Sequence, residues 1–303
     1  MGLPGAGLRL KRVESRVFGE GRPFLPESAS PLLKNYIHDL TGLYGMTHRR
    51  DFLTSRRNSY AEMAEEILEA MAPLPGPVGL VAVATTTPDA DMLQSPTALL
   101  AHAVPGTPLP LGVTDQGVVA PFTALRLIGE FAGTGHALLV IMDQRSLPYE
   151  TGAAERPAED CAVAILLSGD TGHTGDADAP DDADVLDDAD APDDTDDTDG
   201  LSLVRRIDVA PGDVRPALAA ELAGREQDVT VIARPGLDLP DGLADVRFAP
   251  PGRPCTGIWA TLADGLAGWR STGRRVVLAD YDSTLRYLSL CTVEVRRRER
   301  AEA

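Results

Sequence analysis

Cysteine is scarce in this chain of 303 residues: there are three, Cys161, Cys255 and Cys291, far apart in the sequence. No CxxC pair or cysteine–histidine cluster accompanies them, which excludes a zinc ribbon and a disulfide framework and suits a reducing compartment. The five histidines, 38, 48, 102, 136 and 173, form no pair at metal spacing, so no metal site is expected. No apolar run approaches the ~20 residues of a membrane helix. The opening stretch MGLPGAGLRLKRVESR lacks the apolar core of a signal peptide. These absences point to a cytoplasmic protein that neither leaves the cell nor spans a membrane. Positive charge is also in short supply, with 28 Lys+Arg against 46 Asp+Glu and a formal charge of -18. Phosphate contacts need a basic face, so no nucleic-acid partner is expected.

The negative charge is concentrated. Residues 170–199 contain 14 Asp and no Lys or Arg, and the rest of the chain is only mildly acidic. The stretch 169–200 is of low complexity and has too few apolar residues to offset the entropy of ordering, so disorder is expected there. It lacks the glycine and terminal glutamate of an EF-hand loop and the spacing of calcium-binding β-rolls.

The whole chain is 43% apolar, and outside the acidic stretch it reads as an α/β protein. Residues 8–18 alternate and form a first strand. Ser59 and Glu62 make a capping box, after which Tyr60, Met63, Ala64, Ile67, Leu68 and Met71 share one helical face over 59–72. Strands are predicted at 78–85, 109–114 and 137–142, separated by helices at 95–104 and 121–133. Alternating strands and helices imply a parallel sheet with right-handed crossovers. The second half repeats that grammar with strands at 161–168, 228–233, 275–280 and 285–295 and helices at 213–223 and 257–269. Two units follow, 1–150 and 151–303, although no sequence repeat is visible.

Residues 85–98, TTTPDADMLQSPTA, resemble the ketoacyl-ACP synthase III branch of the thiolase superfamily. There a buried strand ends in a Thr-rich turn followed by Pro-Asp and a helix. Residues 41–50 (TGLYGMTHRR), 109–125 (LPLGVTDQGVVAPFTAL) and 256–295 are similar to the family's basic segment, nucleophile turn and closing unit. The resemblance implies a layered αβαβα fold built from two βαβαβ halves. It also implies ligands: the CoA or phosphopantetheine arm of an acyl carrier, with Arg49 and Arg50 meeting its phosphates, since guanidinium groups suit phosphate. No other cofactor is implied.

The family's chemistry requires a cysteine on the turn before a buried helix, assisted by a histidine and an asparagine. Counting back from Ala124–Leu125 puts the nucleophile at Val118; matching the strand puts it at Gln116 or Gly117. None of these can form a thioester. The histidine position reads Arg234–Pro235, the asparagine position Pro254–Cys255–Thr256–Gly257, and the closing Gly-rich turn reads DYDSTL. Cys161 and Cys291 lie in apolar strands and are expected in the core, whereas Cys255, in a Pro/Gly-rich turn, is expected at the surface.

The expectation is a ketosynthase III-like pseudoenzyme. It would be the non-catalytic partner of an active ketosynthase in polyketide or fatty-acyl-type biosynthesis, with Gln116 similar to the turn glutamine of chain-length factors. The alternatives are an acyltransferase or condensing enzyme without the usual cysteine, and an acyl-carrier or acyl-CoA binding module. The resemblance further implies pairing through an edge strand of the first half. ALLVIM at 137–142 is the expected edge, joined to a ketosynthase or, failing that, to a second copy.

Overall fold

The computed structural model describes residues 7–23, 31–43, 45–49, 51–89, 91, 93–131, 133, 135–150, 156–169 and 198–298, with the backbone alone of Leu53. The acidic stretch from 170 to 197, Arg50 and His173 lie outside the described residues.

The first half opens with β1 (Leu8–Phe18) and a two-residue ladder of β2 (Arg22–Pro23) and β3 (Arg56–Arg57). Between them lies helix α1 (Pro31–Leu43), which the sequence pattern did not announce. Helix α2 (Tyr60–Met71) starts on the capping box seen in the sequence: Ser59 accepts from the Glu62 backbone N–H, and the Glu62 carboxylate accepts from the Ser59 N–H. Then follow β4 (Val78–Thr85), α3 (Pro96–Ala103), β5 (Leu109–Val113), α4 (Ala120–Phe131), β6 (His136–Asp143) and β7 (Asp160–Gly169). The second half contains β8 (Asp199–Arg206), α5 (Val214–Leu222), β9 (Val229–Ala233), β10 (Asp245–Phe248), α6 (Gly257–Thr272), β11 (Arg274–Asp282) and β12 (Tyr287–Val295).

Two five-stranded sets share one topology. The first runs β5-β4-β6-β7-β1 and the second β10-β9-β11-β12-β8. In each, the fifth strand in chain order is antiparallel to its neighbours, and the second, third and fourth are mutually parallel. The sets touch edge to edge where Leu8–Leu10 of β1 pairs antiparallel with Asp199–Leu201 of β8. Hydrogen bonding carries the first set to Gly169, past the boundary at 150 drawn from the sequence.

Five layers result. Helices α4 and α6 form the middle one: Phe122, Leu125 and Ile128 pack with Trp259, Leu262 and Leu266, against Leu139 and Ile165 of one sheet and Leu278 and Val293 of the other. The Phe122 and Trp259 rings meet tilted, with centroids 5.3 Å apart. On the outer side of the first sheet, Met63, Ile67 and Met71 of α2 cover Val81, Val140 and Ala164. On the outer side of the second, Leu218 and Leu222 of α5 cover Val231, Val277 and Leu290. No helix among the described residues is long and apolar enough to cross a membrane.

One expectation is overturned. ALLVIM is not an edge: β6 lies between β4 and β7, and residues 137–142 are all buried. Continuous hydrophobicity reflects cover on both faces by α2 and α4. The free edge of the first set is β5, where Leu109 is 48% exposed.

Candidate functional site

The loop after β5 makes the sharp turn that the resemblance requires. Asp115 and Gly117 take positive φ, +58° and +53°, and a short 3-10 turn at Gly117–Val119 runs directly into α4. The three candidate positions part company here. Val118 is buried in the central core. The part-buried Gln116 accepts a hydrogen bond from the Thr123 hydroxyl, at 3.0 Å to Oε1. Gly117 faces the β11–β12 turn, where the Asp282 carboxylate occupies the space a side chain at 117 would need. That carboxylate is held in place by its own turn: Oδ1 accepts from the backbone N–H groups of Thr284 (3.0 Å) and Leu285 (2.9 Å).

The flanking positions carry structural pairs. Arg234, just beyond β9, donates to Asp280 Oδ1 at 3.1 Å and to the Tyr281 carbonyl at 2.9 Å. Asp280 is buried, and desolvation pushes its carboxyl up to about 6 against the opposing pull of Arg234. Cys255 is not at the surface, contrary to its Pro/Gly-rich context: it is 1% exposed. The reason is Asp143, at the end of β6, which accepts from the N–H of Cys255 (3.1 Å) and from the N–H and hydroxyl of Thr256 (2.8 and 2.7 Å). This draws the N-terminal end of α6 into the protein, where an anion suits the exposed N–H groups. Burial, followed by the charges of Asp143 and Asp280, raises the Cys255 thiol well above its usual range. Burial also pushes Cys161 up to about 11 and raises Cys291. A reactive cysteine needs the opposite, an exposed and electropositive setting.

A basic cleft of about 510 Å³ opens on the side of the first half, lined by Arg49, Arg56, Arg145 and Arg156 with Phe52 and Ser55. Two loops are stitched together to form it: Arg49 N–H donates to the Pro148 carbonyl and Glu150 N–H to the Thr47 carbonyl, both at 2.9 Å. Arg49 is steadied by Asp51 (2.6 Å), and Arg145 lies 3.5 Å from the buried Asp160. Glu150 lies 3.8 Å from Arg49 and Glu20 3.4 Å from Arg56, so a phosphate group entering here would compete with carboxylates for the guanidinium groups. Of the sequence candidates, Arg49 is placed here. Arg145 and Arg156 were missed, because only the pairing of distant loops brings them beside it.

No protein-family model matches the chain, and no curated protein sequence does. Solved structures do. The tetronic acid condensing enzyme AbyA1 is similar with a TM-score of 0.56 and 16% identity, over 95% of this chain and 99% of that one. The 3-oxoacyl-(acyl carrier protein) synthase of Burkholderia xenovorans has a TM-score of 0.56 and 12% identity, over 96% of this chain and 94% of that one. The 3-oxoacyl-(acyl carrier protein) synthase III of Pseudomonas aeruginosa has a TM-score of 0.52 and 16% identity, over 97% and 99%. The fold is therefore that of the thiolase-like condensing enzymes, in the form taken by ketoacyl synthase III.

Proposed function

We propose that this chain is a ketosynthase III-like pseudoenzyme, the non-catalytic partner of an active ketosynthase in cytoplasmic polyketide or fatty-acyl-type biosynthesis. The observation that carries the reading is the nucleophile turn. It has no cysteine, and its glycine is covered by the Asp282 carboxylate. A thioester cannot form on Gln116, Gly117 or Val118, so the acyl-enzyme step is lost. The structural neighbours are condensing enzymes, and a chain that keeps their fold without their chemistry acts through contact.

The basic cleft supports a retained ligand: the phosphates of CoA or of a carrier protein's phosphopantetheine arm, seated on Arg49, Arg56, Arg145 and Arg156. The free edge of β5 is the surface on which the partner would add its sheet. The test is co-expression with a complete Cys-His-Asn ketosynthase encoded beside this chain. The expected result is a stable hetero-oligomer by light scattering and a changed product profile or rate of that ketosynthase. A chain that stays apart from it and leaves its activity unchanged overturns the proposal.

A further inference from the structure

The second sheet carries a polar row on the face it turns to the middle layer. Its neighbours on that face are apolar: Ile232, Leu278, Cys291 and Leu203. Strand register sets four polar side chains abreast at one level. Ala233 pairs with Ala279, which puts Arg234 beside Asp280; Asp280 pairs with Ser289; Ser289 pairs with Arg205. Residues directly opposite on one sheet face have Cβ atoms about 4.5–5.5 Å apart.

One end of the row is satisfied and the other is not. Arg234 and Asp280 are ion-paired, and Asp280 also accepts from the Tyr281 N–H. Ser289 is fully buried, yet its hydroxyl has no hydrogen-bond partner. The buried Nε of Arg205 has none either, and no carboxylate lies within ion-pair reach of Arg205 among the described residues. Its Nη2 donates to the Thr123 hydroxyl, which in turn holds Gln116, and its guanidinium lies 5.4 Å from the centre of the Tyr287 ring. Desolvation, followed by a second cation, Arg126, makes its own charge harder to hold.

A guanidinium drawn half out of water, with no opposite charge beside it among the described residues, calls for an anion. Across the row, Arg234 and Asp280 cancel and Arg205 leaves a positive charge, with Arg126 as a second cation acting on it, so the complement is an anion. Two donors side by side, a guanidinium N–H and a hydroxyl, fit the two oxygens of one carboxylate. Arg205, Tyr287 and Gln116 are each part-exposed, so the row reaches the surface at this end although Ser289 itself is buried.

We infer that Arg205 and Ser289 form a carboxylate-binding site beneath the altered nucleophile turn, walled by Tyr287 and by the Gln116–Thr123 pair. The carboxylate comes either from a free small acid or from an Asp or Glu side chain of a partner. The inference goes beyond the partner reading; its free-acid source is independent of that reading, and its side-chain source rests on it.

The experiment titrates the full chain with [1-13C]acetate and [1-13C]propanoate by NMR, with acetamide as the neutral control, on wild type and on the Arg205→Gln, Arg205→Lys and Ser289→Ala variants. Thermal melts check that each variant is folded. Saturable carboxylate binding, weakened about tenfold or more by Arg205→Gln and by Ser289→Ala and absent for acetamide, establishes the site for a free acid. Arg205→Lys keeps the charge but loses the planar fork, so it weakens binding while staying folded even if Arg205→Gln does not. If wild type ignores both acids, the same variants are assayed for pairing with the adjacent ketosynthase. A comparable loss of pairing assigns the site to a partner side chain. Wild-type pairing that every variant retains sinks this inference alone, and no acid binding together with no wild-type pairing sinks it along with the partner reading. Tighter binding of inorganic phosphate than of acetate also overturns it.

Discussion

Gly117, just ahead of α4, meets Asp282 at the end of β11, the carboxylate of the aspartate filling the side-chain space of the glycine. Gly117 is needed twice over: its φ of +53° disfavours any side chain, and Asp282 leaves a side chain no room. Gly117→Ala should cost about 1–3 kcal/mol, combining backbone strain with overpacking. Asp282→Gly should recover the steric part and leave the backbone part. Urea denaturation of both single variants and the double variant measures the coupling, and additive effects would show that the two residues do not compete for space.

The three thiols are all buried, and burial raises each of them. Incubation with acyl-CoA or acyl-carrier thioesters should therefore leave the intact mass of the chain unchanged. A stoichiometric acyl adduct that disappears in Cys255→Ala would restore the enzyme reading.

Asp143 ties the end of β6 to the start of α6. Removing it leaves two buried N–H groups and a hydroxyl without their acceptor. Asp143→Ala should cost about 3 kcal/mol or more, because each orphaned buried donor costs on the order of 1–3 kcal/mol. Asp143→Asn keeps one acceptor oxygen and should cost less. Chemical denaturation of the two variants decides whether the loss tracks the number of orphaned donors.

Burial raises the carboxyls of Asp89, Asp143 and Asp280 to about 6. Between the usual aspartate value near 3.8 and about 6, the folded chain holds protons that the unfolded chain has released. Stability from these groups is thus full below the unfolded value and falls as pH rises through about 6. The thermal midpoint should decline across that window and level off above it. Asp280→Asn should make the decline shallower by about one proton's worth of linkage. An unchanged slope in that variant would place the titration elsewhere.

Much of the fold was legible where one physical signal dominates. The capping box of Ser59 and Glu62 fixed the start of α2 because it is local, and the apolar run 78–85 became β4 because a strand covered on both faces needs no polar side. β8 and β10 were not legible. β8 alternates part-buried and exposed residues over DGLSLVRR and begins at Asp199, inside the end of the stretch expected to be disordered, and β10 is a four-residue edge strand. The site was legible only in part. The missing cysteine is a fact of sequence, but Asp282 over Gly117, and Arg145 and Arg156 beside Arg49, depend on contacts between segments far apart in the chain. Burial of Cys255 was hidden for the same reason, since its cause, Asp143, is 112 residues away.

The position of β6 also reverses the meaning of two substitutions. Leu139→Asp puts a charge into the buried centre of the first sheet and should unfold the chain, at a cost above about 4 kcal/mol. Leu109→Asp, on the exposed edge β5, should leave the melting temperature nearly unchanged while weakening association. Parallel melting and light-scattering measurements separate the two. A folded Leu139→Asp variant that fails only to associate would return ALLVIM to the interface.

The middle layer belongs to both halves at once. Helix α4 comes from the first and α6 from the second, yet they pack on each other and on both sheets in one continuous core. A chain cut anywhere between Gly169 and Thr198 would give two fragments, each with all five of its strands. Neither could fully bury its own middle helix, since part of the apolar surface packed on it would have left with the other fragment. Each fragment alone would be a sticky, incompletely packed species, and mixing the two should restore the native molecule by complementation. The duplicated strand order is thus not a pair of autonomous units but an obligate embrace of two incomplete ones.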